Sequence, residues 1–161
     1  MRDYQKYATI VAVFATVLYA ALLVAAFGLI SLATNLEVIA DRSAGPLVGP
    51  SMTIVAVLLV LIMLLVLGVN TPPDKQRVVV GFAVATGIAA YGLFIATGAI
   101  LVAAGNGEPF GVILFAGGML ASPFALTVGA LAFLVALVYS ILLASHGEHG
   151  RPLWPWERSG E

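Results

Sequence analysis

The stretch that decides the fold is ATIVAVFATVLYAALLVAAFGLISLATN, residues 8–35, which contains no charged side chain. A membrane-spanning helix needs about 20 consecutive apolar residues, so this block is long enough to cross a bilayer. Three further blocks share the property, namely residues 50–73, 78–107 and 109–145. Four such blocks predict an all-α integral membrane protein with four transmembrane helices.

The composition of the whole chain leads to the same conclusion. Of its 161 residues, 61% are hydrophobic and 9% are charged. A soluble domain carries roughly 25% charged residues, so this chain has too few charged side chains to cover a water-exposed surface. The first block follows Arg2 and Lys6, but it exceeds the roughly 7–15 apolar residues of a signal peptide. We therefore interpret it as a retained span.

We expect one four-helix transmembrane domain over residues 1–145 and a cytoplasmic tail over residues 146–161, which begins with a flexible exit. The predicted spans are residues 7–34, 51–69, 74–104 and 122–144. The first helix can continue by a turn or two into the loop of residues 35–50. Glycine and proline then interrupt this loop before the second span.

The apolar segment FGVILFAGGMLA, residues 110–121, is too short to span a bilayer. It is interfacial, re-entrant, or the first part of a long helix kinked at Pro123. Ser122 and Pro123 have the pattern of a helix N-cap followed by proline at the first helical position. We favour a separate segment packed against the end of the helix bundle, with the fourth span beginning at Ser122.

Small residues recur at helical spacing in two of the spans. The first span has Ala8, Ala12, Thr16 and Ala20. The third has a longer stripe, formed by Gly81, Ala85, Ala89, Gly92, Ala96, Ala99 and Ala103. Small residues allow helices to approach closely in lipid. Both stripes are therefore predicted to face other helices, and the third span is predicted to lie at the centre of the bundle.

Lysine and arginine are distributed unequally between the two sides of the predicted membrane. Four spans put both termini on the side of the 70–77 turn, which carries Arg2, Lys6, Lys75, Arg77, Arg151 and Arg158. The other side carries Arg42. Because cytoplasmic loops are enriched in these residues, both termini are predicted to be cytoplasmic. The expected location is the inner, or cytoplasmic, membrane of the cell, with a multi-pass topology.

The predicted spans contain no ionisable side chain at membrane depth, where such a group would indicate function. This argues against a proton-coupled transporter, and the lack of cysteine excludes thiol chemistry and thiolate metal sites. His146, Glu148 and His149 are metal-binding residue types, but the flanking glycines leave them unorganised. We expect no catalytic residue, no cofactor and no metal, and a net charge of −1 argues against nucleic acid.

The tail contains the first group of candidate site residues. Both tryptophans of the chain, Trp154 and Trp156, flank Pro155 and follow Arg151. Tryptophan favours the membrane interface, so these four residues are interpreted as an interface anchor. The alternative is a docking epitope for a partner protein.

The second group consists of two tyrosines that lie deep in their spans, Tyr19 and Tyr91. Their hydroxyls either bond between helices or face a small cavity. The threonine and serine hydroxyls of the spans are instead expected to bond to carbonyls of their own helices.

The basic start MRDYQKY, the terminal RPLWPWE and the four-span layout resemble a class of small four-span membrane proteins of unknown function from high-GC bacteria. That class has no assigned catalytic residues, so the resemblance implies a membrane location without an activity. We expect a non-enzymatic structural, accessory or interaction subunit. Its partners would be the lipid bilayer and a larger membrane complex or a second copy of the chain. The alternative is a small transporter or flippase for an apolar or lipid-linked substrate, with a cavity near Tyr19 and Tyr91 or the 110–121 segment.

Overall fold

The computed structural model describes residues 2–39, 47–70, 79–106 and 109–149, and its regular elements are all α-helices. They are α1 (Arg2–Thr34), α2 (Val48–Asn70), α3 (Val80–Asn106), α4 (Pro109–Leu120) and α5 (Pro123–His149). Four of them contain segments long and apolar enough to cross a membrane: Gln5–Thr34, Val48–Asn70, Val80–Gly105 and Pro123–Ser145. This indicates a multi-pass membrane protein. With 12 residues, α4 is about 18 Å long and cannot cross alone.

The end of α1 is set by Asn35. This residue has a left-handed φ of 54°, and its N–H donates to the carbonyl of Ser31 at 2.9 Å. The arrangement is an αL helix cap, a position that asparagine tolerates better than most residues. The helix therefore stops at Thr34 and does not continue into the loop.

Several helix boundaries differ from the sequence prediction, and α1 begins at Arg2 rather than at residue 7. α2 begins earlier, at Val48, because Pro50 lies in the first turn, where no N–H is needed. α3 begins at Val80, and the predicted start at residue 74 lies outside the described residues. α5 continues to His149, beyond the predicted end at residue 144, because no proline interrupts it there. The predicted flexible exit of α5 is therefore wrong as far as residue 149.

Ala121 and Ser122 separate α4 from α5. The N–H of Ser122 donates to the carbonyl of Met119 at 3.1 Å, while the carbonyl of Ser122 accepts the N–H of Leu126 at 3.1 Å. Ser122 thus closes α4 and precedes Pro123, the first residue of α5, as its sequence pattern predicts. A single long helix kinked at the proline is not formed.

The four long helices contact one another in a closed order, α1, α2, α3, α5 and back to α1, which we call the helix ring. α4 lies outside it and packs mainly against α3. Neighbouring helices run antiparallel. Gly68 near the end of α2 adjoins Ala8 near the start of α1, and Gly98 of α3 adjoins Met52 near the start of α2. α3 contacts α2, α4 and α5, whereas α5 contacts all four other helices, so the structure does not give α3 the central position that the sequence predicts.

The buried face of α1 is the predicted one, with Ala8, Ala12 and Thr16 buried. The buried face of α3 is not the predicted one, because most of the small-residue stripe is exposed. The buried residues of α3 are instead Ala83, Thr86, Gly87, Ala90, Phe94, Ile95, Gly98 and Val102. α3 is apolar on every side, so the spacing of its small residues does not reveal which face meets other helices.

Candidate functional site

Tyr19 lies within α1 and is fully buried. Its hydroxyl donates to the carbonyl of Val128 in α5 at 3.1 Å. The structure therefore places this predicted site residue in an interhelical contact, one of the two roles considered for it.

A second tyrosine makes the reciprocal contact. The hydroxyl of Tyr139 in α5 donates to the carbonyl of Ala8 in α1 at 3.0 Å. Eleven residues separate Ala8 from Tyr19, and eleven separate Val128 from Tyr139. The two bonds, about 16 Å apart along the helices, fix one antiparallel register between α1 and α5. The sequence does not indicate Tyr139 as an interhelical residue, because tyrosines near the end of a span are commonly interface anchors.

The Tyr139 hydroxyl lies directly over Gly68 of α2. A Cβ added at Gly68 would collide with that oxygen and would lie 3.0 Å from the Cβ of Ala8. Glycine at this position therefore allows α1, α2 and α5 to meet around one hydrogen bond.

Two glycines lie at a close contact between the backbones of α3 and α5. A Cβ on Gly87 would lie 2.9 Å from the carbonyl oxygen of Gly129 and 3.0 Å from the Cβ of Phe133. A Cβ on Gly129 would lie 3.0 Å from the Cβ of Tyr91. These backbones approach one another because neither glycine carries a side chain.

Tyr91 has a role different from that of Tyr19. Its hydroxyl donates to the carbonyl of Leu120 at 2.6 Å, which connects α3 to the last residue of α4. The half-buried ring also lines an open apolar groove of about 380 Å³ between α3 and α5, beside Gly87 and Gly129. The two tyrosines predicted as cavity residues thus lie in separate places.

A larger cavity, which we call the α4 cavity, has a volume of about 540 Å³. It lies between α4, the start of α5 and the segment that follows α1. Most of its lining is apolar and comes from Leu36, Val38, Leu114, Phe115, Met119 and Phe124. Of the lining residues that the structure describes, Glu37 is the one with an ionisable side chain, and it is exposed. The sequence indicates the 110–121 segment as a cavity wall but not Glu37, which lies far away in the chain.

The inner end of the α4 cavity rests on packed aromatic rings. Phe124, which lines the cavity, contacts Phe27 edge to face with 5.4 Å between ring centroids. Phe27 in turn contacts Phe94 at 6.2 Å. Rings at these distances and angles have a favourable geometry, so the cavity has a firm apolar floor.

Four threonine hydroxyls and one serine hydroxyl of the spans behave as predicted. Those of Thr9, Thr16, Thr97 and Thr127 each donate to the carbonyl four residues earlier, at 2.7–2.8 Å. Ser140 donates to the carbonyl of Leu137 at 2.8 Å. These hydroxyls are satisfied within their own helices and carry no ligand-binding geometry.

The predicted tail site, Arg151, Trp154, Pro155 and Trp156, lies outside the described residues. Among the residues whose side chains are described, 5–39, 47–70, 79–105 and 109–145, no group of three or more His, Cys, Asp or Glu residues is placed to hold a metal ion. The side chains of His146, Glu148 and His149 lie outside this set. In the described part of the chain, the candidate functional features are therefore a cavity and contacts between helices.

The whole chain, residues 1–161, matches a known protein family described as "Family of unknown function (DUF6121)". No curated protein and no solved structure matches the chain. Because the family match extends from the first residue to the last, this chain belongs to the DUF6121 family, whose function is unknown.

Proposed function

We propose that the chain forms a four-transmembrane-helix bundle in the cytoplasmic membrane and acts there as a non-enzymatic accessory or interaction subunit. The observation that carries the proposal is the closed interior of the helix ring. Among the described residues, the buried polar side chains are Thr16, Thr86, Ser140 and two tyrosines, and each donates to a backbone carbonyl. Ion and proton pathways need polar or titrating groups at depth, so this interior favours a passive role.

The distribution of lysine and arginine supports a cytoplasmic position of both termini, because these residues are concentrated on the side of residues 1–6, 70–77 and 150–161. The helix order supports the geometry, since four antiparallel spans return the chain to its starting side. The alanine- and valine-rich sequence with little lysine also favours a high-GC bacterial source.

The topology is testable because the chain contains no cysteine. We introduce one cysteine at exposed Gln5 in one variant, and at exposed Leu47, just before α2 and on the side where α1 ends, in another. In intact cells, a membrane-impermeant maleimide is expected to label L47C at once and Q5C after permeabilisation. The reverse pattern would overturn the orientation, and immediate labelling of both would overturn the placement of α1 as a span.

The subunit role is tested by purification of the tagged protein from native membranes. We expect other membrane proteins to co-purify with the wild type. The W154A/W156A variant should lose them while it stays in the membrane fraction, whereas W154F/W156F should retain part of the interaction. A wild type that purifies alone would contradict the subunit role, and an alanine variant with unchanged partners would contradict the role of the tail.

A small transporter or flippase for an apolar or lipid-linked substrate is the second candidate, and the α4 cavity favours it. The cavity lies at one end of the helix ring, however. The interior beyond it is filled by side chains with 0% exposure, including Tyr19, Leu64 and Phe94. Because the interior beyond the cavity is closed, the cavity is better suited to holding a molecule than to passing one across the membrane.

A further inference from the structure

We propose that the α4 cavity binds one phospholipid with a primary-amine headgroup, which places a hydrocarbon chain inside the cavity and its ammonium group on the Glu37 carboxylate. The inference rests on the proposed membrane placement, but it does not depend on which side of the membrane the termini occupy.

The position of α4 indicates that the cavity is at lipid depth. Among the outward side chains of α4, Phe110 and Ile113 are each 69% exposed. Such residues on a short helix beside membrane spans are expected to lie in hydrocarbon, so the cavity on the inner side of α4 adjoins lipid chains. A volume of about 540 Å³ falls within the usual size of ligand sites, roughly 300–1,000 Å³.

The lining determines which part of a lipid enters. Aliphatic and aromatic side chains form most of the wall, and Phe124 forms the floor. Apolar cavities of this kind favour hydrocarbon over water. An acyl chain can therefore occupy the space without leaving polar groups unpaired.

The charge determines which headgroup is favoured. Glu37 lies two residues after the αL cap at Asn35, where the chain leaves α1 and turns along the cavity. Among the described residues that line the cavity, none is a lysine or arginine that could neutralise this carboxylate. It repels an anionic headgroup and attracts an ammonium group, whose N–H can also donate a hydrogen bond to it. Ethanolamine lipids satisfy both conditions.

Two adjacent glycines of α4 provide a matched pair of variants. A Cβ on Gly118 or on Gly117 would meet no atom within 4 Å. Gly118 lines the α4 cavity, and Gly117 is not among its lining residues. Gly118→Leu therefore adds an apolar side chain at the cavity wall with its Cβ in open space, and Gly117→Leu makes the same chemical change at a residue that does not line the cavity.

The experiment uses native mass spectrometry of the purified full chain in detergent. The probes are phosphatidylethanolamine and phosphatidylglycerol with identical acyl chains. We expect the wild type to bind one phosphatidylethanolamine about fivefold more tightly than phosphatidylglycerol, the size of effect that one partly solvated charge pair provides. G118L should lose about tenfold in affinity for both lipids, and G117L should bind as the wild type does. E37Q should still bind lipid but lose the headgroup preference.

Several results would overturn the inference. They are equal affinities of the wild type for the two lipids, equal losses in G118L and G117L, and a headgroup preference that persists in E37Q. Because Glu37 is exposed, E37Q tests the site even where a change in α4 impairs folding. The maleimide labelling is read separately, so a correct topology without lipid selectivity would overturn this inference alone.

Discussion

Replacement of Gly87 by valine is expected to lower the free energy of unfolding by about 2–3 kcal/mol, the range found when a well-packed contact is overfilled. The new Cβ would lie 2.9 Å from a backbone carbonyl oxygen of α5 and 3.0 Å from the Cβ of Phe133. Neither atom is at the end of a flexible side chain, so the two helices must separate. Thermal unfolding in detergent, followed by circular dichroism, measures the loss.

The control for this variant lies on the same helix. A Cβ on Gly92 of α3 would meet nothing within 4 Å, so Gly92→Val should change the free energy of unfolding by less than about 0.5 kcal/mol. If G87V and G92V unfold at the same temperature, the close contact between α3 and α5 does not exist in the native protein.

Replacement of Gly68 by alanine is expected to lower the free energy of unfolding by about 1–2 kcal/mol. Alanine improves helix propensity by about 1 kcal/mol, but its methyl group would occupy the position of the Tyr139 hydroxyl. The hydrogen bond from Tyr139 to Ala8 would break, and α1 and α5 would lose one of their two connections. Gly28→Ala in α1 is the control, since its Cβ would meet nothing within 4 Å.

A double-mutant cycle identifies the atom responsible. Tyr139→Phe alone should cost about 0.6–1.7 kcal/mol, the range for hydrogen bonds between membrane helices. The G68A/Y139F variant should lose less stability than the sum of the two single changes, because the oxygen that opposes the new methyl group is absent. Strictly additive losses would show that Gly68 and Tyr139 do not contact each other.

The number of long helices follows directly from where the charges lie, because a charge-free block of sufficient length has few alternatives to a helix. The start of α5 follows from Ser122 and Pro123, which act locally. The packing face of α3 cannot be predicted in the same way, because two of its faces carry small residues. Which face is buried depends on the helices that pack against it. In α1 the small residues lie on one side together with Tyr19, so the prediction of that face is confirmed.

The candidate site is harder to predict from the sequence than the fold. The 110–121 segment is conspicuous because it is apolar yet short, but nothing local connects it to Glu37, which lies more than seventy residues earlier. The αL conformation of Asn35, which ends α1 two residues before Glu37, is a local feature that asparagine permits but does not require. The pairing of Tyr19 with Val128 and of Tyr139 with Ala8 becomes visible when α1 and α5 are placed side by side.

These two tyrosine bonds also bear on how the protein is assembled during synthesis. They join residues 109 and 131 positions apart, and a chain leaves the ribosome from its N-terminal end. When α1 enters the membrane, Val128, whose carbonyl accepts the hydrogen bond from Tyr19 of α1, has not yet been translated. Until α5 arrives, the main contact of α1 is with α2, so we expect the first three long helices to form an open row. The last long helix to be translated closes that row, and a ribosome that stalls before it would leave the first helix without its register.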